Sequence, residues 1–548
     1  MNRNDKNTKI NNVQIKSTKL SIGEKTKNKD IINTNISSII IPAIILVLTF
    51  ILFIPSNVYA RHGDSGFEGG ISSGEVEGVT TMDYKEVCFI TGQPIEFEGT
   101  LIIRKTTRNN IINTTYTYNL KNEKLGATLN RTAIYNTKLV EKSNGQVSEE
   151  TTLSRTPSEV IRINNITYTL RSNDFSYACI VDSQPSIQYR AGNILSKKVY
   201  QVISGTNTGT VTCEIVGDTY AYENSWGSTE AMMLEYIINS RVSNGQSYDE
   251  WTGTASISLS TSSIKENRFQ ENEPDEISFR GGYVESSYNS SVLEYTCDLP
   301  EFDSQGRSTH NIKTTKGSLE IETFPSAVRL PVPDINHLRG HWAEEEIKEL
   351  FSIEIFNSKN AKAFNPEDYI TRAEFISAVT RASRQDVSDS SENKRNTVRT
   401  TSNNRKRKEE EIVSPFSDVA VDNPYFEDIK NALERKIIPE STDGLFYPEE
   451  GVTLSEALVI LVRSLGLESL APNPNAVTAF KDNDLIPEEA RSFVYVAHRI
   501  GLVHGDDGGY LKPNEKLTKG RTAALIKRYI DYMRSGIRKD YRERILLF

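Results

Sequence analysis

The chain has 548 residues, with 64 Lys and Arg against 73 Asp and Glu and a formal net charge of −9. Charged residues make up 25% and hydrophobic residues 37%, which is ordinary for a soluble protein long enough for two or more domains. The acidic balance argues against a general role in coating nucleic acid, so no nucleic-acid partner is expected.

The first distinct pattern is an N-terminal leader, residues 1–60. A basic, polar stretch at 1–37 precedes the apolar run IIIPAIILVLTFILFI at 39–54, and small residues follow at Val58 and Ala60. This order predicts a secretory signal cleaved after Ala60, with an uncleaved membrane anchor as the alternative. Because the basic flank stays inside, both interpretations place the remainder of the chain outside the cell.

A Gly-rich stretch at 61–78 is expected to be a flexible spacer, and residues 79–326 then show the alternation of β-strands. The alternation is clear in ITYTL at 166–170 and ASISLS at 255–260. It predicts an antiparallel all-β domain, either a sandwich or a meander. One helical interruption is expected at 228–240, where apolar residues recur at helical spacing.

The β region holds all four cysteines but no evident catalytic motif. Without Cys-x-x-Cys spacing no metal site is expected, and disulfide pairing stays open for Cys88, Cys179, Cys213 and Cys297. Nucleophile chemistry would have to rest on His310, and no catalytic residue or cofactor is predicted. Trp226 and Trp251 are expected in the core rather than as sugar-stacking platforms. A carboxylate-type glycan hydrolase stays open as the alternative to a structural or adhesive role.

From Trp342 onward the apolar period is helical, and one pattern occurs three times. FNPEDYITRAE at 364–374 recurs as FYPEEGVTLSE at 446–456 and as YLKPNEKLTKGR at 510–521. Each copy follows a shorter helical stretch, so each unit is a helix, a loop and a second helix. Three such units can bury a shared core. The preceding LPVPD at 330–334 is expected to be a hinge.

The second helix of each unit has a strong start signal. Thr371, Thr453 and Thr518 are predicted N-caps, and two of them have a glutamate three residues later that completes a capping box, Glu374 and Glu456. Arg372 and Lys519 occupy the first helical position, where a cation opposes the helix dipole. Beside unpaired helix N–H groups such a cation would form an anion site, whereas an exposed arginine of little cost is the alternative.

GHWA at 340–343, FSDV at 416–419 and ITRAE at 370–374 resemble signatures of the S-layer homology (SLH) family, over about 333–536. The resemblance implies three SLH repeats forming an all-α pseudo-trimer. Its grooves would hold an anionic, pyruvylated secondary cell-wall polysaccharide attached to peptidoglycan. The implied ligand-binding residues are Arg372, Lys519, Trp342, Tyr425, Gly501 and Gly505. For Trp342, packing beneath the motif helix is the alternative.

Departures from the family pattern predict unequal grooves. Unit two has Leu454 instead of the motif cation and Lys436 at a usual loop glycine, so it is expected to bind most weakly. Unit one has Glu354 at that glycine position.

The implied protein is an extracellular cell-wall or S-layer protein, held non-covalently, with other S-layer proteins as further partners. The expected segments are a signal (1–60), a spacer (61–78), a β-rich passenger (79–326), repeat one (333–383), a disordered charged insert (384–412), repeat two (413–470), repeat three (474–536) and a basic helical extension (537–548).

Overall fold

The structure is a computed structural model that describes residues 65–73, 81–108, 110–243, 245, 247–271, 281–323, 326–383 and 414–541. The predicted signal, the charged insert and residues 542–548 lie outside these ranges. All described residues belong to one compact unit, Arg61–Phe548. Within them, no helix has both the length and the apolar character needed to cross a membrane.

The first part of this unit is an antiparallel sheet of fifteen strands among the described residues. The strands are β1 (Ile71–Ser72), β2 (Thr81–Cys88), β3 (Ile95–Arg108), β4 (Ile111–Asn122), β5 (Ala127–Glu141), β6 (Val147–Leu153), β7 (Ser158–Ile163), β8 (Ile166–Ser183), β9 (Gln188–Ser204), β10 (Asn207–Asn224), β11 (Gly227–Ser243), β12 (Tyr248–Gln270), β13 (Gly282–Phe302), β14 (Ser308–Glu322) and β15 (Ser326–Pro331).

The strand order is that of a meander, because strands adjacent in sequence pair with one another along most of the sheet. β6 and β7 lie end to end between β5 and β8, and β14 and β15 lie end to end along β13. The prediction of an antiparallel all-β region is confirmed, and of the two architectures expected it is the meander.

The prediction of a helix at 228–240 is wrong, since this stretch lies within β11. Burial alternates residue by residue here: Met232 and Leu234 face the core, whereas Met233 and Ile237 are each 49% exposed on the outer face. Apolar residues on both faces of one strand produced the apparent helical spacing.

The two ends of the sheet approach each other. The Ser291 hydroxyl of β13 donates to the Ser72 carbonyl at 2.9 Å, and Lys85 Nζ of β2 donates to the Glu320 carbonyl of β14 at 3.0 Å. One face of the sheet therefore turns inward around its own core, which is rich in buried tyrosines: Tyr84, Tyr116, Tyr118, Tyr135, Tyr177, Tyr200 and Tyr236.

The described part of the expected flexible spacer, residues 65–73, is instead packed inside this core. The Phe67 ring lies 4.9 Å from the Tyr135 ring, centroid to centroid, and the Glu68 side chain is 3% exposed. Glycine is required at Gly66, where an added Cβ would stand 2.1 Å from the Tyr118 hydroxyl. The glycines that suggested flexibility in fact allow the chain to approach buried tyrosines closely.

A buried ionic network surrounds Glu68. Arg131 lies 2.8 Å from Glu86 and 3.0 Å from Glu159, while Lys198 contacts Glu68 and Glu159. Burial alone would raise the pKa of Glu159, but the charges of Arg131 and Lys198 outweigh it and lower the pKa to about 2. Burial raises the pKa of Glu86 against the opposing effect of Arg131.

The second part of the unit is helical. Its α-helices are α1 (Glu344–Ser352), α2 (Arg372–Ala382), α3 (Phe426–Glu434), α4 (Leu454–Leu465), α5 (Arg491–Arg499), α6 (Lys519–Asp531) and α7 (Ile537–Asp540). Short 3₁₀ turns cover Asn336–Leu338, Ser358–Ala363, Glu468–Leu470, Asn483–Leu485 and Glu488–Ala490, and a π-helical turn covers Tyr532–Gly536. Unit one contains α1 and α2, unit two contains α3 and α4, and unit three contains α5 and α6. We call the second helix of each unit, α2, α4 or α6, its motif helix.

The sheet and the helices share a core at the turn between β8 and β9. The Ser186 amide donates to the Ser464 carbonyl at 2.8 Å, and the Tyr529 hydroxyl donates to Ser186 Oγ at 2.6 Å. Arg435 donates both to a carbonyl of this turn and, at 2.6 Å, to the Ser383 carbonyl. One turn therefore connects to the C-terminal ends of all three motif helices.

Trp226, at the turn between β10 and β11, adds a second contact between the regions. Its side chain is buried, as predicted, and its Nε1 donates to the Ala382 carbonyl at 2.7 Å. Ile187 is fully buried in the same cluster. The expected hinge at 330–334 begins inside β15, which pairs with β13. The two regions therefore form one packed structure.

The C-terminal helix packs into the core through four apolar residues. The apolar residues at helical spacing are fully buried: Tyr529, Ile530, Met533 and Ile537. Beyond them the Tyr541 hydroxyl lies 2.9 Å from the Ala221 carbonyl of β10. The described start of the extension therefore contacts the sheet.

Candidate functional site

The predicted helix caps are present in all three units. Thr371 Oγ1 accepts from the Glu374 amide at 3.2 Å, and the Glu374 carboxylate accepts from the Thr371 amide at 3.1 Å. Thr453 and Glu456 form the same capping box. Thr518 caps α6 by accepting from the Arg521 amide at 3.3 Å, without a returning carboxylate.

The first amide of each motif helix is already bonded to the next unit. Arg372 N donates to the Glu450 carbonyl at 2.7 Å, and Leu454 N donates to the Glu515 carbonyl at 3.0 Å. Lys519 N donates to the Asp368 carbonyl of unit one at 2.8 Å, so the three contacts close a cycle. The expectation of unpaired helix N–H groups beside the motif cation is wrong, because the neighbouring unit satisfies them.

Three cavities lie between the described parts of the units. Each is named here after the lining residue that occupies the first position of a motif helix: Arg372, Leu454 or Lys519. Their volumes are about 550 Å³ for the Arg372 groove, about 390 Å³ for the Leu454 groove and about 220 Å³ for the Lys519 groove. Each is lined by all three units. The prediction that unit two binds most weakly assumed one groove for each unit. Because every groove combines residues of all three units, binding strength cannot be assigned to a single unit.

The Arg372 groove is acidic. Arg372 lies 3.5 Å from Glu456, the capping residue of the next unit, and is the one cation in the described lining. Five carboxylates share that lining: Glu440, Asp443, Glu450, Glu456 and Glu489.

The Lys519 groove contains a closer ion pair. Lys519 Nζ lies 2.8 Å from the Glu374 carboxylate, and both groups are partly exposed. Tyr425 of unit two also lines this groove, so the structure brings two predicted ligand residues together. Burial, followed by the charge of Glu374, raises the pKa of Tyr425 above its ordinary value.

The Leu454 groove combines aromatic and cationic side chains. Trp342 of unit one is 61% exposed here, and Gly505 lies in the same lining, together with Arg521 and Arg528. The exposure of Trp342 contradicts the alternative that it packs beneath the motif helix. Sequence comparison missed both arginines because they lie outside the motif's usual cation position.

The loop glycine position is a left-handed turn in all three units. Gly501 has φ 81°, and Glu354 and Lys436 have φ 60° at the equivalent positions. Gly505 is likewise left-handed, with φ 78°. Units one and two therefore hold a side chain in a backbone conformation that favours glycine.

Replacing Lys436 with glycine is expected to raise the free energy of unfolding by about 1 kcal/mol, because the left-handed strain is relieved. Chemical denaturation of the full chain measures the change. Gly501→Ala is the reverse control and should destabilise. A Lys436→Gly variant that is less stable than the parent would show that the lysine side chain supplies more than the strain removes.

Two stretches match a known family. Residues 334–376 and 415–458 match the S-layer homology domain. They fall in units one and two, and the match does not extend to unit three. S-layer homology domains bind cell-wall polymers in general and point to a surface protein anchored at the cell wall.

Curated relatives include enzymes and surface-layer proteins. The chain is 26% identical over 197 residues to an endoglucanase of Bacillus sp. (strain KSM-635), covering 36% of this chain and 18% of the relative. It is 24% identical over 211 residues to exoglucanase XynX of Acetivibrio thermocellus, covering 38% and 17%. It is 24% identical over 230 residues to the surface-layer 125 kDa protein of Lysinibacillus sphaericus, covering 41% and 17%. The chain thus spans less than a fifth of each relative's length.

Proposed function

We propose that this chain is a cell-surface protein whose helical region binds a secondary cell-wall polysaccharide non-covalently, with the β region as its passenger. The observation that carries the proposal is the set of three grooves between three units, two of which contain matched S-layer homology segments. Grooves of this kind offer side chains from three directions to one extended polymer.

We include unit three as a third S-layer homology repeat and the three units as a pseudo-trimer. Thr518 caps α6 as Thr371 caps α2, and the Lys519 amide completes the cycle of contacts with unit one. Both features support equivalent roles for the three motif helices.

We assign each predicted ligand residue to the groove that it lines. Lys519 and Tyr425 would act together in one groove, Trp342 and Gly505 in another, and Arg372 in the third, with Gly501 shaping the loop that ends at Gly505. An anionic, pyruvylated sugar would share Lys519 with Glu374 rather than meet a free cation.

The β region is proposed to be structural or adhesive. Three of its carboxylates that lie close together, Glu68, Glu86 and Glu159, have buried side chains paired with Arg131 and Lys198, so they are not accessible to a glycan substrate. The second candidate, a glycan hydrolase, is favoured by the enzyme names among the relatives.

Sedimentation with purified sacculi tests the proposal. The full chain is expected to pellet with sacculi that retain their polysaccharide and to stay in solution with sacculi stripped of it. Equal binding to stripped sacculi would contradict the polysaccharide as partner, and no binding to either would contradict anchoring. Release of reducing sugar from the same sacculi would favour the hydrolase.

A further inference from the structure

The three grooves do not share one charge. The described lining of the Lys519 groove has two cations, Lys519 and Arg381, against Glu374, a net charge of +1. Among the described lining residues, the Arg372 groove has one cation against five carboxylates, a net charge of −4. The Leu454 groove has three cations against two carboxylates, a net charge of +1 without counting His504. A cleft lined mainly by one sign of charge repels a ligand of that sign, so these two grooves cannot favour the same acidic ligand equally.

The positive charge of the Leu454 groove arises because the motif's cation position and its capping-glutamate position carry different residue types here than in the other two grooves. In the other two grooves a cation at the start of one motif helix faces the capping glutamate of the next: Arg372 with Glu456, and Lys519 with Glu374. Here Leu454 supplies no cation, and Arg521 occupies the glutamate's position. The positive charge has moved across the groove instead of disappearing.

A second cation completes the site. Every motif helix has an arginine ten residues after its capping threonine: Arg381, Arg463 and Arg528. Arg381 forms an ion pair with Asp428 at 2.8 Å, and the Arg463 guanidinium lies 5.3 Å from the centre of the Phe493 ring. Within the described part of the chain Arg528 has no carboxylate partner, and its guanidinium lies 3.4 Å from the Leu502 carbonyl.

The two arginines are spaced along one helix. Arg521 and Arg528 are seven residues apart, which places them on the same face of α6 about 10 Å apart along its axis. Arg521 lies 2.8 Å from Glu515, so Arg528 provides the charge that is not internally neutralised. Trp342 and Tyr510, 61% and 45% exposed, add aromatic surfaces to the same groove.

We infer that the Leu454 groove, although it lacks the motif cation, is the main binding site for a carboxylate-bearing saccharide, with Arg528 contacting the carboxylate and Trp342 the sugar ring. This inference rests on the proposed function. Guanidinium groups bind carboxylates through paired hydrogen bonds, and an exposed indole offers an apolar face to a sugar. The acidic Arg372 groove contributes less than the Leu454 groove to binding this ligand.

The test measures the affinity of the full chain for soluble wall polysaccharide, native or with its carboxyl groups reduced. Arg528→Ala is expected to weaken binding to the native polymer by at least about tenfold, since a charge-assisted contact is lost. The variant should also discriminate less between native and reduced polymer. Arg463→Ala, at the same position of unit two, is the matched control and should bind as the parent does.

A comparison of grooves makes the test decisive. Arg372→Ala combined with Lys519→Ala removes both motif cations and is expected to weaken binding less than Arg528→Ala does, because each of these cations is already paired with a glutamate. If Arg528→Ala binds as tightly as the parent while this double variant does not, the inference is overturned and the proposed function stands. If the parent binds no wall polymer, both fail.

Discussion

Replacing Trp226 with alanine is expected to destabilise the chain by about 3–5 kcal/mol and to separate the unfolding of its two regions. The indole is 7% exposed, lies in the helical core cluster and donates to the Ala382 carbonyl. The substitution leaves a cavity where the sheet meets the motif helices. Differential scanning calorimetry should show one transition for the parent and two for the variant.

Trp342→Ala is the matched control, because it removes the same side chain from an exposed site. Its effect on the free energy of unfolding should stay within about 0.5 kcal/mol. Equal destabilisation by both substitutions, or two transitions in the parent, would contradict the conclusion that the sheet and the helices share a core.

Glu159→Gln is expected to cost about 3 kcal/mol at pH 7, since the fold lowers the pKa of this carboxyl from its ordinary 4.5 to about 2. A depressed pKa stabilises the fold above pH 4.5, and that contribution is lost as the pH falls from 4.5 towards 2. Denaturation curves across this range should show a smaller loss for the variant than for the parent.

Glu86→Gln serves as the comparison within the same network. Burial raises the pKa of Glu86, so the fold favours its neutral form, and this contribution weakens as the pH rises above the ordinary value. The glutamine should therefore cost less at pH 7 than it does at Glu159. A larger loss from Glu86→Gln would show that its paired hydrogen bonds to Arg131 outweigh the cost of its burial.

The sequence predicted those features that depend on short-range patterns. Thr371 with Glu374 and Thr453 with Glu456 cap their helices as expected, because a capping box requires only four consecutive residues. Alternation predicted the all-β region for the same reason. It failed at Met233 and Ile237, where apolar side chains on the outer face disturbed the period.

Features that depend on distant partners could not be predicted. The first helical amides looked unpaired because their acceptors, such as the Glu450 carbonyl for Arg372, belong to the next unit. The glycines before Ile71 suggested a spacer, since nothing nearby in sequence indicates the buried tyrosines they approach. The recurring Arg381, Arg463 and Arg528 were visible in the sequence, but their different partners were not.

The turn between β8 and β9 has a mechanical consequence. A passenger on a flexible tether transmits tension to its anchor but can rotate freely about the tether. Here Ser186 and its neighbours bond to the ends of three helices, so rotation of the sheet relative to the helices would break several hydrogen bonds at once. If the helices are held at the wall, the sheet keeps a fixed orientation relative to the wall and transmits torque as well as tension.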